Sequence, residues 1–160
     1  MTKKLFLLLL AVVAATATVR AQSDVVSLAD ALRIFQNPRQ QFANEVLTKQ
    51  GYRYKGVTTD FGKEYNWVRN MDLSKDGLPT SFAKGNSSYV LLSDDGKRLL
   101  IYVFNAACYK QLKQQADRLG YKAEKMGLQE DAVFYTKDDA PTLTFMQLEK
   151  PLPYCVQVTE

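Results

Sequence analysis

The stretch 98–104, RLLIYVF, is apolar at both parities of a β-strand. Side chains of a strand point alternately to its two faces, so each face of this strand would carry three apolar groups. They are Leu99, Ile101 and Val103 on what we call the first face, and Leu100, Tyr102 and Phe104 on the second face. The pattern predicts a central strand whose second face is at least partly covered, by a loop of this chain or by a partner subunit.

Turn and strand signals on both sides of this stretch predict an antiparallel sheet. Asp95-Gly96 is a strong signal for a two-residue hairpin turn, and it joins the run 88–93, SYVLLS, to the central strand. Two strand-like runs precede them, YRYKGV and EYNWVR. Four more follow residue 120, and they read YKAEK, AVFYT, TLTFMQL and YCVQV.

Two helical patterns precede the first group of strands, and a third lies between the two groups. The first begins at Ser27, which with Asp30 forms a variant of the capping box, and it ends at Asn37-Pro38. The second covers 39–50 (RQQFANEVLTKQ) and the third 107–119 (ACYKQLKQQADRL).

A Gly-Tyr pair follows each of the last two helical patterns, at Gly51-Tyr52 and at Gly120-Tyr121. Helices commonly end with a glycine in the left-handed conformation, followed by an apolar residue that folds back on the last turn. We therefore interpret the repeated pair as a helix stop and not as a ligand-binding motif.

Helices separated by hairpin-connected strands predict an α+β fold, an antiparallel β-sheet with helices packed on one face. The order of a helix and then several strands occurs twice, over 39–104 and 107–159, so the domain could consist of two tandem repeats. In this outline the chain resembles the secreted β-lactamase-inhibitor-type proteins. The resemblance concerns architecture, and it implies no site residues, since fold does not determine function.

The N-terminus, MTKKLFLLLLAVVAATATVRAQ, has the pattern of a cleaved secretory signal peptide. Two lysines precede an apolar run at 5–15, which is shorter than a membrane span requires. Cleavage is expected between Ala21 and Gln22. Residues 1–21 would then leave a mature single domain at 22–160, soluble, without a membrane span, and periplasmic or extracellular.

The net charge of the mature chain argues against nucleic acid as a partner. The whole sequence contains 21 basic and 17 acidic residues, a net charge of +4. Three basic residues and no acidic residue belong to the predicted signal peptide, which leaves 18 − 17 = +1. Most of the net positive charge therefore belongs to the predicted signal peptide and not to the mature domain.

The residue types restrict the possible chemistry. The sequence contains no histidine, which excludes imidazole bases, Ser-His or Cys-His pairs and histidine metal sites. No cofactor and no metal site is predicted, and the chain is predicted not to be an enzyme. A mechanism based on carboxylates or tyrosines remains open, because such groups come together only in the folded chain.

The two cysteines, Cys108 and Cys155, allow one disulfide in an oxidising compartment. Cys155 has the parity opposite to Tyr154 and Val156 in its strand. If the helices cover the face of Tyr154, Cys155 points away from Cys108. Two separate thiols are therefore the alternative.

The segment 70–88, NMDLSKDGLPTSFAKGNSS, is a long insertion that the second half of the chain lacks. Loops of this length are usually functional or disordered, although a tolerated surface insertion is also consistent with the sequence. We expect Phe82 to be an apolar anchor for a partner and Trp67 to be an exposed aromatic beside it. The full set of candidate partner-binding residues is Trp67, Arg69, Asp72, Lys75, Asp76, Phe82 and Lys84.

These observations lead to the hypothesis of an exported, non-catalytic binding protein whose partner is a protein, a peptide or a glycan. One alternative is a small exported enzyme that uses carboxylate and tyrosine chemistry. Another is a structural envelope protein that self-associates as a homodimer through the second face of the central strand.

Overall fold

The computed structural model describes residues 24–60, 62–124 and 131–160. The predicted signal peptide at 1–21 lies outside the described residues. In the part of the chain that is described, no helix is long and apolar enough to cross a membrane.

Helices and strands follow one another in the order that the sequence predicts, except that the insertion at 70–88, expected to be a loop, contains two short strands. Within the described ranges the helices are α1 (Leu28–Gln36), α2 (Gln40–Thr48) and α3 (Ala106–Arg118). The strands are β1 (Arg53–Thr58), β2 (Glu64–Arg69), β3 (Met71–Leu73), β4 (Pro79–Phe82), β5 (Ser88–Ser93), β6 (Arg98–Val103), β7 (Lys122–Glu124), β8 (Ala132–Thr136), β9 (Thr142–Gln147) and β10 (Tyr154–Thr159).

Eight strands form one antiparallel sheet in the order β1-β2-β5-β6-β10-β9-β8-β7. β6 lies in the middle, between β5 and β10, which confirms the prediction of a central strand. The first four strands of this order come from the first half of the chain and the last four from the second half. The α+β fold class is therefore confirmed, with α1, α2 and four strands of the sheet in the first half and α3 and four strands in the second half.

The three helices cover the first face of the sheet. One buried cluster contains the first-face side chains of β6 together with apolar residues of each helix, including Leu28, Leu47 and Leu112. This cluster is the main hydrophobic core. Its burial is the largest stabilising term of the fold, because apolar surface removed from water contributes about 25 cal/mol per Å².

The second face carries a smaller cluster, which the insertion at 70–88 covers. This segment folds into a hairpin of β3 and β4, and Met71 and Leu73 of β3 pack into the cluster. The other members come mainly from β5, β6 and β10, and they are Val68, Tyr89, Leu91, Leu100, Tyr102, Phe104, Met146, Leu152 and Cys155. Part of the second face is thus covered by the chain itself.

Both predicted helix stops are present. Gly51 and Gly120 have φ values of +84° and +86°, in the left-handed region. The N–H of Tyr52 donates to the carbonyl of Leu47 at 3.1 Å, and the N–H of Tyr121 donates to the carbonyl of Ala116 at 3.1 Å. These are the backbone hydrogen bonds of the Schellman motif, which satisfy carbonyls of the last helical turn. The Gly-Tyr pairs therefore serve the fold.

Cys108 and Cys155 are free thiols, so the disulfide considered from the sequence is absent. Cys108 belongs to the first-face cluster under α3, whereas Cys155 belongs to the second-face cluster. The physical reason is the parity of β10. Tyr154 and Val156 face the helices, so Cys155 between them points to the other side of the sheet.

The two helix-stop tyrosines offer a matched test of hydrogen bonding in the core. The buried hydroxyl of Tyr52 accepts from the N–H of Val26 at 2.9 Å and donates to Ser88 Oγ at 2.8 Å. The buried hydroxyl of Tyr121 has no hydrogen-bond partner in the described ranges. Tyr52→Phe should lower the free energy of unfolding by about 1–3 kcal/mol, because it leaves a buried N–H unpaired.

Tyr121→Phe serves as the control and should leave the free energy of unfolding unchanged or raise it slightly. Urea denaturation of both variants measures the difference. Equal destabilisation by the two substitutions would contradict this account of the Tyr52 hydroxyl.

Candidate functional site

Trp67 belongs to the core and cannot contact a partner, so the expectation that it is exposed is wrong. Its side chain is fully buried on the first face, and its indole N–H donates to Asn44 Oδ1 of α2 at 3.1 Å. Its ring packs against those of Tyr54 and Tyr65. The reason is that α2 covers the face of β2 to which Trp67 points.

Arg69 also lies away from the hairpin and is held in an ion pair. Its guanidinium donates to the carboxylate of Asp24 at 2.8 Å, and only 17% of the side chain is exposed. The same carboxylate accepts from the N–H of Asn86 at 3.3 Å. Arg69 therefore ties the segment before α1 to the sheet, and the structure does not group it with the hairpin residues.

The β3–β4 hairpin is fixed to the sheet at its base. Met71 is 2% exposed, and its carbonyl accepts from the guanidinium of Arg53 at 2.9 Å. Lys55 Nζ lies 2.7 Å from the carboxylate of Asp72. That hydrogen bond, with a further one from the N–H of Leu73, holds the pKa of the Asp72 carboxyl below its usual range. Asp72 thus anchors the hairpin.

The tip of the hairpin is an ordered turn that holds apolar groups in solvent. The N–H of Ser74 donates to the carbonyl of Leu78 at 2.8 Å, and Ser74 Oγ accepts from two backbone N–H groups of the turn. Leu78 is 50% exposed. On β4, Phe82 is 57% exposed and meets the ring of Phe104 edge-on at 5.1 Å.

The polar candidates of this segment, Lys75, Asp76 and Lys84, are exposed around these apolar groups. Five of the seven predicted residues therefore lie in the insertion at 70–88, with Asp72 as an anchor at the hairpin base and Lys75, Asp76, Phe82 and Lys84 exposed.

A cavity of about 260 Å³ lies on the second face beside the hairpin tip. Its floor is formed by side chains of β5 and β6, and its walls by the hairpin tip, the end of β1 and the loop before β10. The lining residues are Tyr89, Leu91, Arg98, Leu100 and Tyr102 on the two strands, Asp76, Gly77 and Leu78 on the tip, and Thr58, Asp60, Glu64 and Leu152 around them. We call this cavity the second-face pocket.

Sequence reasoning missed this pocket. The sequence signal that points to the pocket is the apolar second face of 98–104, because Leu100 and Tyr102 form part of the pocket floor. The other lining residues come from segments far apart in the sequence, which no local pattern connects.

An ion pair closes one end of the floor. Arg98 donates a hydrogen bond from its guanidinium to the carboxylate of Glu64. The Glu64 side chain is 7% exposed and the Arg98 side chain 37%, so the carboxylate is the buried partner. Arg98 Nε is also buried, and it finds no acceptor among residues 24–60, 62–124 and 131–160.

The tyrosines of the floor are neutral aromatic groups. The rings of Tyr89 and Tyr102 stack with centroids 5.3 Å apart, and the Tyr89 hydroxyl donates to Asn66 Oδ1 at 2.6 Å. Burial raises the pKa of both hydroxyls above the usual range of tyrosine. Burial also raises the pKa of the nearby Cys155 thiol to about 12. At neutral pH all three groups keep their protons, which suits contact with a ligand better than nucleophilic attack.

Two wider depressions lie elsewhere on the surface. One, of about 480 Å³, adjoins the β5–β6 turn, and its charged groups largely pair with one another, as Lys63 does with Asp94 at 2.8 Å. The other, of about 660 Å³, lies between the end of α1 and the turns after β5 and β8. Neither combines exposed apolar anchors with an aromatic floor.

Comparison with protein-family models, with curated proteins and with solved structures finds no match to this chain. Within the described ranges, no group of three or more His, Cys, Asp or Glu side chains could hold a metal ion. The site must therefore be interpreted from its own geometry.

The unequal burial of Glu64 and Arg98 predicts unequal effects of removing either charge. Arg98→Met leaves a buried, unpaired carboxylate and should lower the free energy of unfolding by about 2–4 kcal/mol. Glu64→Gln leaves a guanidinium that can turn to water, and it should cost only about 1 kcal/mol. Urea denaturation at neutral pH measures both.

Lys63→Met is the matched control, because it removes one partner of an ion pair that is open to solvent. Its effect should be smaller than that of Arg98→Met. If Glu64→Gln and Arg98→Met cost the same, the description of the pair as a buried carboxylate with an adaptable partner is wrong.

Proposed function

We propose that this chain is an exported, non-catalytic binding protein whose partner is a polypeptide that docks on the β3–β4 hairpin and the second-face pocket. The observation that carries the proposal is the exposure of Leu78 and Phe82 on a hairpin that is itself fixed to the sheet. Exposed apolar groups that are rimmed by charges and held by a rigid scaffold are typical of protein interaction sites.

Export is proposed from the pattern of residues 1–21, with its two lysines, its short apolar run and its cleavage site before Gln22. A transient contact with another protein does not require a large buried interface. A hairpin and a neighbouring pocket are enough surface for a transient contact with another protein.

A polypeptide fits the site better than a glycan does. Sugar rings bind by lying on exposed aromatic faces, and the floor tyrosine Tyr89 is only 4% exposed. The exposed groups are an aliphatic and an aromatic side chain at the rim, Leu78 and Phe82. Apolar and aromatic anchors of this kind dominate the binding energy of protein interfaces.

The experiment is affinity capture from the envelope and medium of the producing cell with residues 22–160 as bait. The test variant is the double substitution Leu78→Ser and Phe82→Ser. The matched control is Val57→Ser, because Val57 is 45% exposed but pairs with Tyr65 and faces the other side of the sheet. All three substitutions alter exposed side chains, so the fold should be retained.

We expect the wild-type bait and the control to retain the same partner, and the double variant to bind it at least about tenfold more weakly. Equal retention by the double variant would remove the hairpin from the interface. No partner retained by folded wild-type bait would contradict the proposed function itself.

A further inference from the structure

We infer that the second-face pocket receives a basic side chain, a lysine or an arginine, that the partner polypeptide presents. This inference rests on the proposed function and names the chemistry that the pocket recognises. It follows from the charge of the lining, from the apolar walls and from the position of the ion pair at one end.

The lining carries more acid than base. It contains the three carboxylates of Asp60, Glu64 and Asp76 and the guanidinium of Arg98, which leaves a net charge of −2. Glu64 and Arg98 neutralise each other at the floor. The carboxylates of Asp60 and Asp76 remain, and neither forms an ion pair or a side-chain hydrogen bond with any described residue. The uncompensated charge of the pocket is therefore negative.

The remaining lining is mostly apolar and suits the stem of a long basic side chain. Leucines contribute much of it, namely Leu78, Leu91, Leu100 and Leu152. Lysine and arginine bury their methylene groups along such surfaces while the charged end stays near water. The partly exposed ring of Tyr102, which stacks on the buried ring of Tyr89, adds an aromatic surface toward which a cation is attracted.

The ion pair of Arg98 and Glu64 restricts where the positive charge of the ligand side chain can lie in the pocket. The guanidinium of Arg98 would repel a second cation at its end of the floor, while Asp60 and Asp76 attract it from the walls. The same two carboxylates disfavour an acidic side chain. We therefore place the cation between the end of β1 and the hairpin tip.

The test uses Nα-acetyl-lysine amide as a probe of the pocket, followed by NMR of ¹⁵N-labelled residues 22–160. The comparison probe is Nα-acetyl-norleucine amide, which has a similar aliphatic stem and no charge. We expect the lysine probe to shift the backbone amides of Gly77, Leu78 and Leu152. The norleucine probe should bind about fivefold more weakly or not at all.

The rim carboxylates are tested by the double substitution Asp60→Asn and Asp76→Asn, which should weaken binding of the lysine probe about fivefold. The matched control is Asp117→Asn with Asp138→Asn, which removes the same charge from exposed positions outside the pocket. The control should bind like the wild type, and added salt should weaken all binding that depends on the rim.

The inference is overturned if the lysine probe leaves the pocket amides unshifted, if both probes bind equally, or if the rim variant binds like the control. It is also overturned if Nα-acetyl-glutamate amide binds there more tightly than the lysine probe. These failures are distinct from failure of the proposed function, since a partner lost with the Leu78 and Phe82 substitutions would still establish the hairpin as an interface. Conversely, a pocket that binds the lysine probe without any captured partner would contradict the proposed function and would support only the preference of the pocket for a cation.

Discussion

A sheet with two apolar faces and one layer of helices imposes the constraint on which this structure depends. The helices cover the first face, so the apolar side chains of β5 and β6 on the second face need another cover. The β3–β4 hairpin supplies it through Met71 and Leu73. The second half needs no such insertion, because the second-face positions of β9 and β10 are mostly polar, as Thr144 and Gln157 show. The asymmetry between the halves thus follows from the residues of their strands.

The β3–β4 hairpin contributes both to the stability of the fold and to the proposed binding site. Burial of a side chain such as that of Met71 contributes about 1.5–3 kcal/mol, whereas an ion pair open to solvent, such as Lys55 with Asp72, contributes far less. Apolar burial therefore holds the hairpin down, and the ion pair fixes its position along β1. With its base held in this way, the hairpin keeps Leu78 in solvent and forms one wall of the pocket. The segment that completes the fold is also the segment that we propose for binding.

Local patterns were enough to predict much of the fold but little of the site. The apolar residues on both faces of 98–104 identified the central strand, and the Gly-Tyr pairs predicted both helix stops because the Schellman motif involves only neighbouring residues. The pairing of Tyr65 with Trp67 on one face was visible in the sequence, but which face the helices cover was not, so Trp67 was wrongly expected to be exposed. β3 and β4 have three and four residues, too few for a clear alternation, and the segment 70–88 reads as a loop. The pocket joins residues from Thr58 to Leu152, and only the folded chain brings them together.

The most direct test of this account is to replace residues 71–85 by a short turn and to measure the stability and oligomeric state of the shortened chain. The account predicts that the free energy of unfolding falls by at least about 2 kcal/mol, because Met71 and its neighbours lose their burial. It also predicts self-association in light scattering, since the second face is then uncovered. A shortened chain that remains monomeric and as stable as the full chain would contradict the claim that the hairpin completes the fold.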